Sequence, residues 1–155
     1  MPLEIERKFL VKLDQMELPA EGVSIKQSYI NTASNITVRV RIINDKAYLT
    51  LKGENRGAVR SEFEYEVPFN EAKDIMGELC ARPFIEKVRY EIPFNGHVWE
   101  IDVFSGDNDG LCVAEVEMLS EDEHVEIPSW VVQEVTDQKR YYNSQLIKMP
   151  FKQWL

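Results

Sequence analysis

The chain has 155 residues, 44% of them hydrophobic and 29% charged, with a formal net charge of −9. That length suits one domain, residues 1–155, with its own core, and the acidic balance argues against nucleic acid as the main partner. No run approaches the ~20 apolar residues of a membrane span, and Met1-Pro2-Leu3-Glu4 opens no basic-then-apolar leader, so a cytoplasmic protein without a membrane partner is expected.

From the amino end, period-two alternation predicts strands over 3–11, 24–31, 36–43, 46–53, 59–68, 85–94, 97–104 and 111–119. Asn44-Asp45 and Asn95-Gly96 are hairpin turns, the second with type I′ chemistry. Residues 53–57 and 106–110 are glycine-bounded loops. Asn70 is placed to cap a helix over 71–81, ended by Arg82-Pro83, and a second helix is expected over 137–148 before Pro150. The stretches 12–22 and 120–133 carry weaker signals, with a helical turn expected at Asp14-Gln15-Met16 and another at Ser129-Trp130-Val131. Cys80 and Cys112 lack metal-ligand spacing and read as buried free thiols. His97 and His124 stand alone, as surface or turn residues. Trp99, Trp130 and Trp154 read as packing.

The strands share one habit. Glu4, Glu6 and Lys8 fall on one face of the first strand, as do Arg39 and Arg41, Arg60, Glu62, Glu64 and Glu66, Lys87 and Arg89, Glu100 and Asp102, and Glu115 and Glu117 on theirs. One such strand is ordinarily a solvated face. Six strands, each with a characteristic sign, instead suggest a site for a highly charged anion and its metal. Many strands with short connections predict an α+β, mainly antiparallel fold: an eight-stranded antiparallel β-barrel. Unpaired buried charges cost several kcal/mol each, so the ionised face requires a wet, ion-filled tunnel, with the apolar faces outward against the two helices and the C-terminal helix near one tunnel end.

Glu4-Ile5-Glu6-Arg7-Lys8 resembles the ExExK signature of the CYTH superfamily, the triphosphate tunnel metalloenzymes. Arg39-Val40-Arg41, Leu51-Lys52-Gly53, Arg60-Ser61-Glu62-Phe63-Glu64, Lys87-Val88-Arg89, Asp102-Val103-Phe104 and Glu115-Val116-Glu117 follow in the family's order, as does the tail around Arg140-Tyr141-Tyr142-Asn143. The resemblance covers nearly the whole chain and is closest to small bacterial members with inorganic triphosphatase activity. It implies an eight-stranded tunnel whose carboxylates hold one or two Mg²⁺ or Mn²⁺ ions and whose basic side chains grip a triphosphate.

On that basis Glu4, Glu6, Glu62, Glu64, Glu115 and Glu117 are the candidate metal ligands, since hard divalent cations prefer oxygen donors. Lys8, Arg39, Arg41, Lys52, Arg60, Lys87, Arg89 and Lys139 are the candidate phosphate-binding groups, Arg39 and Arg41 through forked contacts. Glu4, Glu6 and Lys87 are the candidate catalytic groups, a carboxylate or a lysine of lowered pKa serving as base. Glu66 is expected to pair structurally and Glu91 to be solvated. The expected reaction is metal-assisted attack of water on a terminal phosphorus. Inorganic triphosphate is the expected substrate, with ATP or thiamine triphosphate as further candidates. The alternatives are a class IV-type adenylate cyclase and a non-catalytic polyphosphate binder; an apolar outer strand leaves room for a homodimer.

Overall fold

The structure, a computed structural model, describes residues 2–154. Nine strands and two helices follow one another as β1 (Leu3–Val11), β2 (Val23–Ile30), β3 (Thr37–Ile43), β4 (Lys46–Lys52), β5 (Val59–Val67), α1 (Phe69–Leu79), β6 (Ile85–Phe94), β7 (His97–Phe104), β8 (Cys112–Glu117), β9 (Val131–Glu134) and α2 (Asn143–Lys148). The sheet runs β5-β4-β3-β2-β6-β7-β8-β1, and β1 pairs back onto β5 to close an eight-stranded antiparallel barrel. Asn44, Asn95 and Gly96 all adopt positive φ at the two predicted hairpin turns, the backbone that a tight two-residue turn demands.

Strand β1 is the seam. One of its edges pairs with β8 through Glu6–Leu10. The other edge is divided: Leu3–Ile5 pair with β5, and Phe9–Val11 pair with β9 across an irregularity between Leu10 and Val11. The sequence signals expected a helical turn at 129–131. Ser129 and Trp130 do form a turn, closed by the Val131 N–H donating to the Pro128 carbonyl at 3.2 Å, and from Val131 the chain runs on as the short strand β9, because the free upper edge of β1 offers ladder partners.

Three apolar clusters fix the barrel. The outward residues Phe9, Trp99, Ile101, Ala114 and Val116 pack under Met118, Val125 and Trp130, so this wall is covered by the 118–131 segment together with Met16 and Leu18 and not by a helix. Helix α1 covers β3 and β4 through Ala72 and Met76 against Val40 and Ala47. The third cluster lies at one end of the barrel. Leu10, Ile85, Phe104 and Val113 continue the inward-facing register of Lys8, Lys87, Asp102 and Glu115, and Val135, Tyr141, Leu146 and Ile147 pack onto them. The carboxy-terminal segment therefore stoppers that end.

Several element boundaries differ from the sequence expectation. Helix α1 begins at Phe69 behind Pro68, whose φ of −58° suits a helix start, so Asn70 lies inside the first turn and not at its cap. The expected helix over 137–148 splits into a single turn at Lys139–Tyr141, an extended Tyr142 and the six-residue α2. The Tyr142 hydroxyl donates to the Thr136 carbonyl at 2.9 Å, which holds the break. Leu13–Gln15 forms the expected turn near Asp14. The 106–110 loop contains one turn of helix and a buried Asn108 that accepts from the Phe151 backbone at 2.9 Å. His97 is not a surface residue: its ring is largely buried against Glu123, whereas His124 is exposed beside Glu126. Both cysteines are free, and burial pushes the Cys112 thiol up to about 12. Among the described residues no helix is long and apolar enough to cross a membrane.

Trp99 is fully buried between Phe9 and Trp130, with ring centroids 5.2 and 5.5 Å away, and its indole N–H has no partner. Trp99→Ala is expected to destabilise the fold by roughly 3–5 kcal/mol, whereas Trp99→Phe, which abandons no hydrogen bond, costs far less. Urea midpoints at an unchanged m-value measure both.

Candidate active site

The inward face of the barrel encloses a cavity of about 300 Å³ lined by seven basic and seven acidic side chains. The signs are sorted by strand. Arg39 and Arg41 on β3 and Lys87 and Arg89 on β6 form a basic wall; Glu4 and Glu6 on β1, Glu62 and Glu64 on β5 and Glu115 and Glu117 on β8 form an acidic one. Cross-strand pairing explains the sorting. Glu6 lies opposite Glu117 and Lys8 opposite Glu115, so β1 and β8 present one continuous set.

Each cation is held differently. Lys52 Nζ lies 2.8 Å from Glu4 Oε2 and 3.4 Å from Glu62 Oε2. Arg89 makes a forked pair with Asp102 at 2.7 and 2.9 Å and reaches Glu100 at 3.2 Å. Lys87 Nζ donates to Asp102 Oδ2 at 2.7 Å and to Asn143 Oδ1 at 3.2 Å. Arg39 reaches Thr50 and Glu64 at 3.2 and 3.4 Å, and its buried Nε has no partner. Arg41 donates through Nε to the neutral Gln27 amide at 2.7 Å. Lys8 Nζ reaches the Tyr141 carbonyl at 3.4 Å and lies over the Tyr142 ring. Arg60 donates to the Gly53 carbonyl and to Thr37. These loosely satisfied guanidinium and ammonium groups retain donors for an anion.

The acids form two interacting pairs whose members shift in opposite directions. Burial and the adjacent charge of Glu115 push Glu6 well above the usual carboxylate range, while Glu115, although buried, is held well below it by Lys8 and by the hydrogen bond from Glu6. Glu62 is likewise raised by burial and by Glu4, and Glu4 is lowered by Lys52 against its own burial. Once ionised, these paired carboxylates present the oxygen donors a hard cation prefers. Among the described residues no three acidic groups already form a closed metal cage; Lys52 stands between Glu4 and Glu62. On the basic wall, burial, with Arg89 and Arg41 alongside, pushes the Lys87 ammonium down to about 7 despite Asp102. Arg41 falls to about 10 through burial and the charges of Arg39 and Arg89, and it stays protonated.

Of the residues singled out from sequence, Glu4, Glu6, Lys8, Arg39, Arg41, Lys52, Arg60, Glu62, Glu64, Lys87, Arg89, Glu115 and Glu117 all line this cavity. Lys139 does not. It is exposed and lines a second cavity of about 170 Å³, which shares Tyr29, Thr37, Asn55, Arg60, Tyr142 and Ser144 with the first. Glu66 and Glu91 are exposed. Charge counting overlooked the neutral members: Gln27, Tyr29 and Thr50 occupy inward register positions opposite Arg41, Arg39 and Glu64. Thr136, Tyr142 and Asn143 come from the tail and carry no periodic signal.

A family model described as CYTH domain matches residues 2–149. The inorganic triphosphatase of Acetivibrio thermocellus is 47% identical over 152 residues, covering 98% of this chain and 97% of that protein. The inorganic triphosphatase of Nitrosomonas europaea is 38% identical over 149 residues, covering 92% and 95%. A solved structure of an inorganic triphosphatase superposes with a TM-score of 0.65 at 34% identity, over 92% of this chain and 96% of that one.

Because burial and a neighbouring carboxylate raise both Glu6 and Glu62 above the ordinary carboxylate range, Mg²⁺ or Mn²⁺ taken up among these acids is expected to release protons and to bind more tightly as pH rises. Calorimetric titration in buffers of different ionisation heat measures this; a buffer-independent heat would contradict it.

Proposed function

This chain belongs to the CYTH domain family, and from that premise we propose that it is a metal-dependent triphosphatase, hydrolysing inorganic triphosphate to diphosphate and phosphate inside its tunnel. The observation that carries the reading is the opposition of a basic wall, Arg39, Arg41, Lys87 and Arg89, to an acidic wall, Glu4, Glu6, Glu62, Glu115 and Glu117, within one cavity. A pure anion binder gains nothing from the second wall. An enzyme that uses a metal needs both.

The carboxylates gathered on one side of the cavity fit Mg²⁺ or Mn²⁺, with Glu4, Glu6, Glu62, Glu115 and Glu117 as the holding residues and Glu64 at the margin. When bound, the metal supplies charge neutralisation for the phosphate oxygens and acidifies water. Arg39 and Arg41 hold the phosphate chain through charge-assisted donors. Lys87 stands beside them with its ammonium pushed down to about 7, so near neutral pH its Nζ can accept a proton. Water oxygen bonds to the terminal phosphorus, the bond from that phosphorus to the bridging oxygen breaks, the water proton passes to Lys87 Nζ, and diphosphate leaves. Asp102, buried and ionised against Lys87 and Arg89, positions both cations.

A second substrate class, ATP or thiamine triphosphate, is favoured by the side cavity, where Asn31, Asn35, Asn55 and Gln145 gather amides beside the tunnel. Purified protein with Mg²⁺ or Mn²⁺, offered triphosphate and ATP in parallel, tests the assignment. Phosphate release mainly from triphosphate supports it, whereas cyclic AMP with diphosphate from ATP would overturn it in favour of a cyclase.

Glu4→Gln is expected to lower kcat by about a hundredfold, and Arg41→Ala to raise KM by about tenfold; steady-state kinetics separates the two. In the wild type kcat/KM should rise with pH through about 7 as Lys87 deprotonates. The corresponding limb in kcat should lie higher, because a bound anion favours the ammonium. In Lys87→Arg, which cannot deprotonate, both limbs should vanish.

A further inference from the structure

Four side chains form a hydrogen-bonded relay across the basic wall. Arg41 Nε donates to Gln27 Oε1 at 2.7 Å, Gln27 Nε2 donates to Asn143 Oδ1 at 3.3 Å, and Lys87 Nζ donates to the same Oδ1 at 3.2 Å. The direction of the relay is forced from the Arg41 end. A guanidinium can only donate, so the Gln27 atom facing Arg41 must be its oxygen, its Nε2 must face Asn143, and the Asn143 atom that receives Nε2 must be its oxygen. The Gln27 amide is fully buried and cannot turn over without setting its NH₂ against a guanidinium. Asn143 is thereby locked with its carbonyl toward the wall. Its Nδ2, with two N–H donors, has no partner among the described residues, and Asn143 lines the cavity.

We propose that Asn143 is a substrate-binding residue of the tunnel, its Nδ2 donating to a phosphate oxygen, and that Gln27 is a positioning residue that orients it. This rests on the triphosphate reading of the site. Asn143 adds a donor without adding charge, beside Lys87 in the tunnel lining. It also takes one N–H of Lys87 while Asp102 takes another, which in the neutral amine leaves the lone pair for the water proton.

The test is calorimetric binding of tripolyphosphate to the metal-free protein, alongside KM with metal. Asn143→Ala should weaken both about tenfold. Asn143→Asp keeps the acceptor for Lys87 and Gln27 but replaces the donor with a charge, so it should bind more weakly than Asn143→Ala. Asn143→Ser, whose hydroxyl can accept and donate, should recover part of the loss, and Gln27→Met should show a smaller loss in the same direction. If Asn143 served only to hold Lys87, the aspartate variant would bind at least as well as the alanine variant, and that order overturns the proposal. Wild-type affinity in Asn143→Ala or Asn143→Ser overturns it as well. Thermal melting checks that each variant is folded, and if the alanine variant is not, the Asp and Ser variants decide by their order. Binding without turnover in the wild type would count against the hydrolase reading and leave the binding assignment measurable.

Discussion

Closure of a barrel around an ionised face is the constraint from which the rest of this molecule follows. A charge withdrawn from water costs several kcal/mol unless paired or hydrated, and here fourteen ionisable groups share one lumen. The chain meets that cost by segregation. Acids gather on β1, β5 and β8, bases on β3 and β6, and Lys52, Lys8 and Arg89 bridge between them. Equal numbers of the two signs leave the lumen close to neutral. An anion entering alone meets carboxylates across the cavity, and a cation entering alone meets guanidinium groups. A metal–polyanion pair satisfies both walls at once.

An ionised interior forces the apolar residues elsewhere. They cannot form a central core, so they form three peripheral ones: a cover over β1, β7 and β8, a helix on β3 and β4, and a stopper at one end. The stopper uses the same inward register as the site. One alternation along β1 places Glu4, Glu6 and Lys8 in the lumen and then Leu10 in the seal, so a single strand builds both the chemistry and the floor beneath it.

The barrel and its charged lining were legible because both depend on period-two alternation, which survives in any strand facing two environments. Glu115 and Glu117 on β8, or Arg39 and Arg41 on β3, need no tertiary information to be put on one face. What depended on distant partners was hidden. Strand β9 has four residues and forms only because β1 offers an edge. The tail reads as one helix, but Tyr142 is drawn out of helical geometry toward Thr136. Gln27 and Asn143 carry no charge and gain meaning only from Arg41 and Lys87. Lys139 fell near the expected region, on the turn whose Tyr141 packs into the seal, yet its own side chain is exposed and lines the side cavity.

The divided edge of β1 also sets an order of events. Residues 3–11 are made before their partners at 59–61, 113–117 and 131–134, so the strand that bears Glu4, Glu6 and Lys8 waits for its last neighbour until residue 134 exists. Contacts of such long sequence separation slow folding, because loop closure must precede their reward. The meander from β2 to β5 can pair locally in the meantime. The tunnel is therefore sealed along β1 last, and until then the charged face of that strand stays open to water.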